Sequence, residues 1–114
     1  MNIFKDITLI YVAHKSDSII EKNINTIKLF NTIVVDNSNS LYLKNYLKNF
    51  NNIKYINSPN FGFGHANNLA VTEAKTQYVF IVSPDIFFTI NSLTRRDIIF
   101  LLPLYHQCSF SFSL

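Results

Sequence analysis

The chain has 114 residues, of which 48% are hydrophobic and 15% are charged. This balance excludes disorder of the whole chain and suits one small domain with a buried core. Ten Lys and Arg residues against seven Asp and Glu residues give a formal charge of +3, but the basic residues are dispersed apart from Arg95 and Arg96. A nucleic-acid-binding surface is therefore not predicted.

Cysteine content and hydropathy bear on the cellular compartment. Cys108 is the single cysteine of the sequence, which excludes an internal disulfide and a cysteine-rich zinc site. The apolar run at residues 7–13 is too short for a signal peptide, and no stretch reaches the roughly 18 to 20 apolar residues of a spanning helix. A cytoplasmic protein is predicted, and peripheral attachment to the inner membrane is left open.

Four short apolar runs, rich in β-branched and aromatic residues, are spaced almost evenly along the chain. They alternate little between apolar and polar residues, which is typical of strands covered on both faces. The segments between them have helical periodicity, and Ser18 with Glu21 fits a capping box at the start of the first helix. The predicted strands are residues 7–13, 32–35, 53–56 and 78–82, and the predicted helices begin after Ser16 and span residues 41–50 and 66–75.

The order of these elements predicts the fold. Strand and helix alternate three times in succession, which favours right-handed crossovers and a parallel sheet. The expected fold is therefore a Rossmann-like α/β unit, with a parallel sheet of about four strands and helices on both faces. In such sheets ligands bind beyond the carboxyl ends of the strands, so the residues after each strand are the first candidates for function.

The pattern changes from Thr89 onward. Ser92 is placed to cap a short helix through residue 102, which Pro103 would end. Residues 109–114 alternate serine with apolar residues, a strand-like pattern for which the sequence offers no evident partner. We therefore predict an α/β domain at residues 1–88 and a divergent apolar tail at residues 89–114.

Both glycines of the chain lie in the segment 60–68, whose sequence is NFGFGHANN, between the third predicted strand and the third helix. Glycine allows positive φ and close approach to a ligand, and a helix start presents free N–H groups. The structural alternative is a plain strand-to-helix turn. A dinucleotide-binding fingerprint is disfavoured, because Asn67 stands where its third glycine should be and the loop follows the third strand instead of the first.

Two carboxylates follow predicted strands at what should be the same edge of the sheet. Asp36 ends the second strand, and Asp85 follows the fourth. Each could serve only to cap a helix or a turn. In a functional interpretation, Asp36 accepts the imide N–H of a uracil or thymine ring, and Asp85 holds Mg²⁺ or Mn²⁺ beside a diphosphate.

As a set, these segments resemble the glycosyltransferases of family 2, in particular the rhamnosyltransferase-like branch. The resemblance rests on VVDNS at residues 34–38, NFGFGHANN at residues 60–68 and SPD at residues 83–85, and it runs from about Ile7 to Phe88. It implies the nucleotide-binding half of a glycosyltransferase-A fold. It also implies an inverting transfer of a sugar from a UDP- or dTDP-linked donor to a cell-surface glycan or lipid-linked acceptor.

The resemblance also implies roles for individual residues. Asp36 corresponds to the residue that reads the pyrimidine, and the backbone near Ala13 and His14 forms the opposite wall. Gly62 and Phe63 would lie beside the base and the ribose. The nucleotide-binding set expected from the resemblance is therefore these five residues.

The metal-binding part of the resemblance rests on Asp85, which is similar to the final carboxylate of the family's metal motif. Three departures bear on it and on catalysis. Ser83 stands where the metal motif begins with asparagine or aspartate, and Lys15 stands where asparagine is common after the first strand. The family's catalytic base and acceptor-binding residues have no counterpart after Phe88, and Asp97 does not match that base.

The missing acceptor half leaves two main interpretations, and a nucleotide-binding regulator that uses the same pocket without transfer is a third. One is a glycosyltransferase whose reading frame is truncated or frame-shifted, with an unassigned catalytic base. The other is a non-catalytic remnant, or an interaction module, that keeps the fold without activity.

Overall fold

A computed structural model describes residues 3–82 and 100–103, with side chains described for residues 4–82. Strands and helices alternate along the chain, as the sequence predicts. The elements, in chain order, are α1 (Ile3–Asp6), β1 (Ile7–Ala13), α2 (Asp17–Ile27), β2 (Asn31–Asp36), α3 (Leu41–Leu47), β3 (Ile53–Asn57), α4 (Phe63–Glu73), β4 (Tyr78–Val82) and β5 (Phe100–Pro103).

The five strands form one sheet in the order β3-β2-β1-β4-β5. The four strands β1 to β4 are parallel to their neighbours, and β5 runs antiparallel to β4. Ala13 pairs with Asp36, and Asp36 pairs with Asn57, so β1, β2 and β3 end level with one another. The predicted Rossmann-like parallel sheet is confirmed, and the loops that follow β1, β2 and β3 begin side by side at its carboxyl edge.

Helices cover both faces of the sheet, which explains why the strands are apolar throughout. Alternate residues of β1 point to opposite sides: Leu9 and Tyr11 belong to one core cluster, and Ile10 and Val12 to the other. The first cluster lies beneath α2 and α3, and the second lies beneath α4. All seven residues of β1 are buried as a result.

The cap of one helix and the start of another differ from the predictions. The first long helix begins at Asp17, directly after Ser16 as predicted, but its N-cap is Ser16, so the predicted capping box of Ser18 and Glu21 is wrong. The last helix begins at Phe63, three residues before the predicted start, because the positive φ of Gly62 turns the chain directly into the helix. In α3 the end also differs, since the helix stops at Leu47 and not at residue 50.

The strand β5 corrects part of the prediction for the tail. Residues 100–103 form a strand against β4, with Phe100 opposite Ile81 and Pro103 opposite Tyr78, where the sequence had predicted the end of a helix. The pairing satisfies main-chain groups along β4 that a helix would leave unpaired. The rest of that predicted helix, residues 92–99, and the strand-like residues 109–114 lie outside the described part of the chain.

Within residues 3–82 and 100–103, no helix has the length and apolar character needed to cross a membrane.

Candidate functional site

A cleft of about 460 Å³ opens at the carboxyl edge of the sheet, between the loops that follow β1 and β2. The first loop and the helix start behind it contribute Lys15, Asp17 and Ser18 to the cleft wall, and the second loop contributes Ser38 and Ser40. This is the edge at which parallel α/β sheets bind their ligands. All five lining residues carry a hydroxyl or a charged group, so the cleft is polar.

Asp36 lies beneath the cleft and is 0% exposed. Its Oδ1 accepts hydrogen bonds from the Ser38 main-chain N–H (2.9 Å) and from the Ser38 hydroxyl (2.7 Å). Its Oδ2 accepts from the Ser40 N–H (2.8 Å) and from the Tyr55 hydroxyl (2.6 Å). An ionised carboxylate offers about four lone-pair positions, so these four donors occupy its accepting capacity.

These contacts keep the Asp36 carboxyl group ionised. Burial alone would raise the pKa of Asp36, but the hydrogen bonds from Tyr55, Ser38 and Ser40 outweigh it and hold the pKa below its ordinary value. Burial, together with the hydrogen bond to Asp36, raises the pKa of the Tyr55 hydroxyl well above its usual range. Near neutral pH the pair is therefore a charged acceptor and a protonated donor.

A second carboxylate, Asp17, stands at the start of α2 on the same side. Its Oδ2 accepts a hydrogen bond from the Ser40 hydroxyl (2.7 Å), and the same hydroxyl oxygen caps α3 by accepting from the Leu43 N–H (3.1 Å). The other oxygen, Oδ1, is buried and has no hydrogen-bond partner within the described part of the chain. The hydroxyl of each serine that lines the cleft from the β2 loop thus donates to a carboxylate, Ser38 to Asp36 and Ser40 to Asp17.

The β1 loop is attached to the β2 loop through its main chain. The Lys15 N–H donates to the Ser38 hydroxyl oxygen (3.1 Å), and Lys15 has a φ of +54°. Residues with a side chain seldom adopt such a left-handed conformation, which carries a strain of about 1 kcal/mol or more. Asn39 has a φ of +55°, which asparagine tolerates more readily.

Ala13 is the last residue of β1, and His14 follows it directly, as the sequence analysis placed them. Ala13 is fully buried, and its carbonyl oxygen accepts from the Asn37 N–H (2.8 Å). The main chain of His14 is bonded to Ser16 in both directions, with its N–H donating to the hydroxyl (3.2 Å) and its carbonyl accepting from it (3.0 Å). The exposed His14 side chain is the part of this predicted wall that faces solvent.

The glycine loop lies at the same edge of the sheet, before the helix that covers the opposite face. Gly62 has a φ of +99°, and a Cβ added there would meet no atom within 4 Å. Glycine is therefore required at this position by its positive φ, and not because a neighbouring atom leaves no room for a side chain. Phe63 is half-buried and packs against the core beneath α4. Phe61 is 69% exposed, and its ring lies edge-on to the His65 ring, with 5.2 Å between the ring centroids.

Asn67 is a second fully buried polar residue, on α4. Neither atom of its side-chain amide has a hydrogen-bond partner within residues 3–82 and 100–103. Buried amides are paired in most proteins, so Asn67 differs sharply from Asp36.

The predicted metal ligand Asp85, like Ser83 beside it, lies outside the described residues. The part of the chain that the structure describes contains no group of three His, Cys, Asp or Glu residues able to hold a metal ion. Asp36 is not available as a substitute, because its oxygens already accept four hydrogen bonds. The described residues therefore do not fit Mg²⁺ or Mn²⁺, and that prediction continues to rest on Asp85.

The model of the family described as glycosyl transferase family 2 matches residues 11–96. The chain belongs to that family.

Among proteins similar to this family 2 chain is the rhamnosyltransferase WbbL of Escherichia coli (strain K12). It is 30% identical over 96 aligned residues, which cover 75% of this chain and 36% of WbbL. The chain therefore spans about a third of the length of that relative.

Two solved structures share the fold of this family 2 chain. TarS 1-349 from S. aureus matches with a TM-score of 0.64 and 23% identity, over 78% of this chain and 30% of that one. TarS 1-349 has also been solved in complex with UDP-GlcNAc. PcManGT, a mannosyltransferase from Pyrobaculum calidifontis solved with GDP-Man and Mn²⁺, matches with a TM-score of 0.59 and 18% identity, over 70% of this chain and 27% of that one. These likenesses confirm the glycosyltransferase-A fold.

The sequence analysis of this family 2 chain missed the residues that surround Asp36. A sequence signal for two of them does exist, because serine at the second and fourth positions after an aspartate is a pattern for side-chain-to-backbone turns. Ser38 and Ser40 could have been found in this way. Tyr55 could not, since it approaches Asp36 from the neighbouring strand β3.

Proposed function

We propose that this chain is the nucleotide-sugar-binding part of a family 2 glycosyltransferase that takes a UDP- or dTDP-linked sugar. The observation that carries the proposal is the polar cleft at the carboxyl edge of the sheet, with the ionised carboxylate of Asp36 directly beneath it. A fixed negative charge at this position favours a base edge that carries an N–H donor, as uracil and thymine do. Family membership supplies the nucleotide-sugar chemistry.

The proposed binding residues lie on both sides of that edge. Asp36 sets the preference for a pyrimidine, while Ala13 and His14 form the wall that follows β1. Gly62 and Phe63 lie beside the base and the ribose, where the first turn of α4 offers main-chain N–H groups to anionic oxygens.

A divalent cation is part of the proposal, with Asp85 as the protein ligand. PcManGT was solved with Mn²⁺, which supports a metal in a protein of this fold. When bound, Mg²⁺ or Mn²⁺ would neutralise charge on the diphosphate.

The transfer step needs residues that we do not assign in this chain. An inverting transfer requires a base that removes the proton of the acceptor hydroxyl. We propose that the acceptor, a cell-surface glycan or a lipid-linked sugar, binds to a part of the enzyme that corresponds to the portion of WbbL outside the match. A cytoplasmic location, at or near the inner membrane, belongs to the same proposal.

Calorimetric titration of the purified chain with UDP and dTDP, with and without Mn²⁺, tests donor binding. We expect Mn²⁺-dependent binding of both, and weaker binding of GDP, whose base is larger. The variant Asp85→Ala should lose the dependence on Mn²⁺, whereas Asp97→Ala, which removes a carboxylate outside the motif, should keep it.

Two results would contradict the proposal in different ways. If Asp85→Ala kept its response to Mn²⁺, the metal assignment would be wrong while nucleotide binding stood. If the folded wild-type chain bound neither nucleotide, the alternative of a non-catalytic remnant or interaction module would be favoured.

A further inference from the structure

Among the described residues, the apolar side chains that face solvent most are found at the carboxyl edge of the sheet. Leu41 is 70% exposed, Tyr42 56% and Phe61 69%, and all three follow strands that end at this edge. Phe4 and Leu29, at the amino edge, are only 38% and 42% exposed. Exposed apolar residues that are scattered singly need no explanation, but a group of them on one surface is typical of a contact site.

Tyr42, the second residue of α3, is held in place by a row of aromatic rings. Its ring stacks on that of Tyr46, with 6.2 Å between the centroids and 5° between the planes, and Tyr46 meets Phe50 edge-on at 5.6 Å. Tyr46 and Phe50 pack against the core beneath α3, and the Tyr42 hydroxyl donates to Glu21 of α2. The exposed ring is therefore already positioned at the surface before anything binds to it.

The outer side of α3 is also basic. Leu41, Lys44 and Lys48 follow one another at three and four residues, which places them on the same side of the helix, and all three are exposed. Within the described part of the chain neither lysine forms an ion pair. The sequence contains no Asp or Glu from residue 37 to residue 72. Exposed apolar groups and unpaired positive charges thus share one side of this helix.

We propose that the α3 surface, formed by Leu41, Tyr42, Lys44 and Lys48, binds an anionic lipid bilayer. The two apolar side chains enter the headgroup region, where tyrosine is enriched in membrane proteins, and the two lysines lie on the lipid phosphates. Because α3 begins directly after Ser40, which lines the carboxyl-edge cleft, docking through α3 places that cleft beside the lipid. This goes beyond donor binding and names the surface that attaches the chain at its proposed location.

A second copy of the chain fits the α3 surface less well. A two-fold symmetric contact would bring Lys44 and Lys48 of one copy next to those of the other, and like charges across an interface oppose association. Nucleic acid would pair with the lysines but would leave Leu41 in water. An anionic bilayer supplies the opposite charge and an apolar interior together.

Co-sedimentation of the full chain with lipid vesicles, in the absence of nucleotide, tests the proposal. Vesicles of phosphatidylglycerol and phosphatidylcholine in equal amounts should bind the chain, and binding should weaken at high salt and with phosphatidylcholine alone. The double variant Lys44→Gln/Lys48→Gln should lower the partition coefficient about 25-fold, since each lysine near such a surface contributes about fivefold. Leu41→Ser should lower it roughly tenfold, because an apolar side chain no longer leaves water.

The amino edge offers matched controls. Lys28→Gln/Lys75→Gln removes the same charge there, since Lys28 ends α2 and Lys75 lines the amino-edge cleft. Leu29→Ser removes an exposed leucine from the same end of the molecule. Both controls should bind nearly as the wild type does, because salt screens charges that lie far from the lipid.

A tryptophan reporter observes the contact directly, because the sequence contains no tryptophan of its own. The emission of Tyr42→Trp should shift to shorter wavelength when anionic vesicles are added, whereas that of Leu29→Trp should not shift. Circular dichroism confirms that each variant is folded.

Each outcome supports or contradicts the proposal. Equal losses in the α3 variants and the amino-edge controls would mean that net charge alone binds the vesicles, and the proposal would be wrong. It would also be wrong if the folded wild type did not bind, if Tyr42→Trp showed no shift, or if the chain formed a dimer that Lys44→Gln/Lys48→Gln strengthened. Vesicle binding needs no nucleotide, so a failed titration with UDP would contradict the proposed function and leave this proposal standing.

Discussion

The two edges of the sheet carry clefts of nearly equal size, about 460 Å³ at the carboxyl edge and about 450 Å³ at the amino edge, but they differ in what lies beneath. At the carboxyl edge, the Ser38 hydroxyl is bonded to a fully buried, ionised Asp36. At the amino edge, three charged residues line the cleft, and two of them, Lys54 and Glu73, have side chains that are 55% and 40% exposed and pair at 2.7 Å. The volume of a cleft does not identify a binding site. The buried carboxylate with a complete set of hydrogen-bond partners is what distinguishes the carboxyl edge from the amino edge.

The largest effect expected from this comparison is that of Asp36→Ala. The substitution leaves the N–H groups of Ser38 and Ser40 and the Tyr55 hydroxyl without their acceptor, so we expect a loss of about 3 to 5 kcal/mol in the free energy of unfolding. Urea denaturation measures it. Asn67→Ala removes another fully buried polar side chain, but one without hydrogen bonds, and should cost clearly less. Equal losses would show that burial alone, and not the hydrogen bonding, determines the cost.

Acid should lower the free energy of unfolding by less than Asp36→Ala does, because a protonated carboxyl group still accepts some hydrogen bonds. The pKa of Asp36 is lower in the folded chain than its ordinary value of 3.8. Its contribution to stability is therefore complete above the unfolded-state pKa of about 3.9 and is lost as the pH falls through the folded-state pKa. Urea midpoints measured between about pH 6 and pH 2.5 should fall below about pH 4.

The control for the acid experiment is Asp36→Asn. Other carboxylates also titrate in this range, among them Glu73, whose pKa is lowered by its hydrogen bond to Lys54. The difference in slope between the wild type and Asp36→Asn isolates the contribution of Asp36. Parallel slopes would contradict the assigned direction of its pKa shift.

Tyr55→Phe removes one of the four donors to Asp36 and should have a smaller effect again, about 1 to 2 kcal/mol. With one hydrogen bond fewer, the pKa of Asp36 should rise towards its unfolded-state value, so the acid-induced loss of stability should become smaller and should be complete at a higher pH. Tyr46→Phe is the matched control, because the Tyr46 hydroxyl makes no hydrogen bond to Asp36. A shift of the acid transition in both variants would argue against a specific bond.

At the amino edge, Lys54→Met should leave the free energy of unfolding almost unchanged. Both members of the pair with Glu73 are well exposed, and exposed ion pairs contribute little after solvent screening and side-chain ordering. Urea denaturation at low and at high salt tests this. A loss comparable to that of Tyr55→Phe would remove the contrast between the two edges.

The sequence was sufficient for the parallel sheet because its signal is strong. Runs of β-branched and aromatic residues predicted β1 and β4 to the residue, and β2 and β3 to within one residue at either end. The starts of α2 and α3 were also predicted, but that of α4 at Phe63 was not, since it depends on the φ of Gly62, which composition does not reveal. The strand β5 could not be told from a helix, because an apolar run of four residues has no distinguishing period and its partner β4 is remote in sequence.

For the site, the position of Asp36 was predictable and its surroundings were not. A residue at the end of a parallel strand must reach the carboxyl edge, so its place follows from the strand alone. Whether the carboxylate faces a ligand or lies beneath other groups depends on where Ser38, Ser40 and Tyr55 lie, and two of these are set by loop conformation. The roles of Ala13, His14, Gly62 and Phe63 stay predictions, as does that of Asp85.

The left-handed backbone at Lys15 bears on which residue types this position can accept. The family resemblance implies asparagine at this position, and asparagine adopts positive φ more readily than most other residues with a side chain. The contact that Lys15 makes with Ser38 comes from its main-chain N–H, which every residue except proline has. Exchange between asparagine and lysine therefore alters the conformational strain of the loop and leaves that hydrogen bond in place. Lysine at this position raises the strain energy of the backbone without removing a contact of the site.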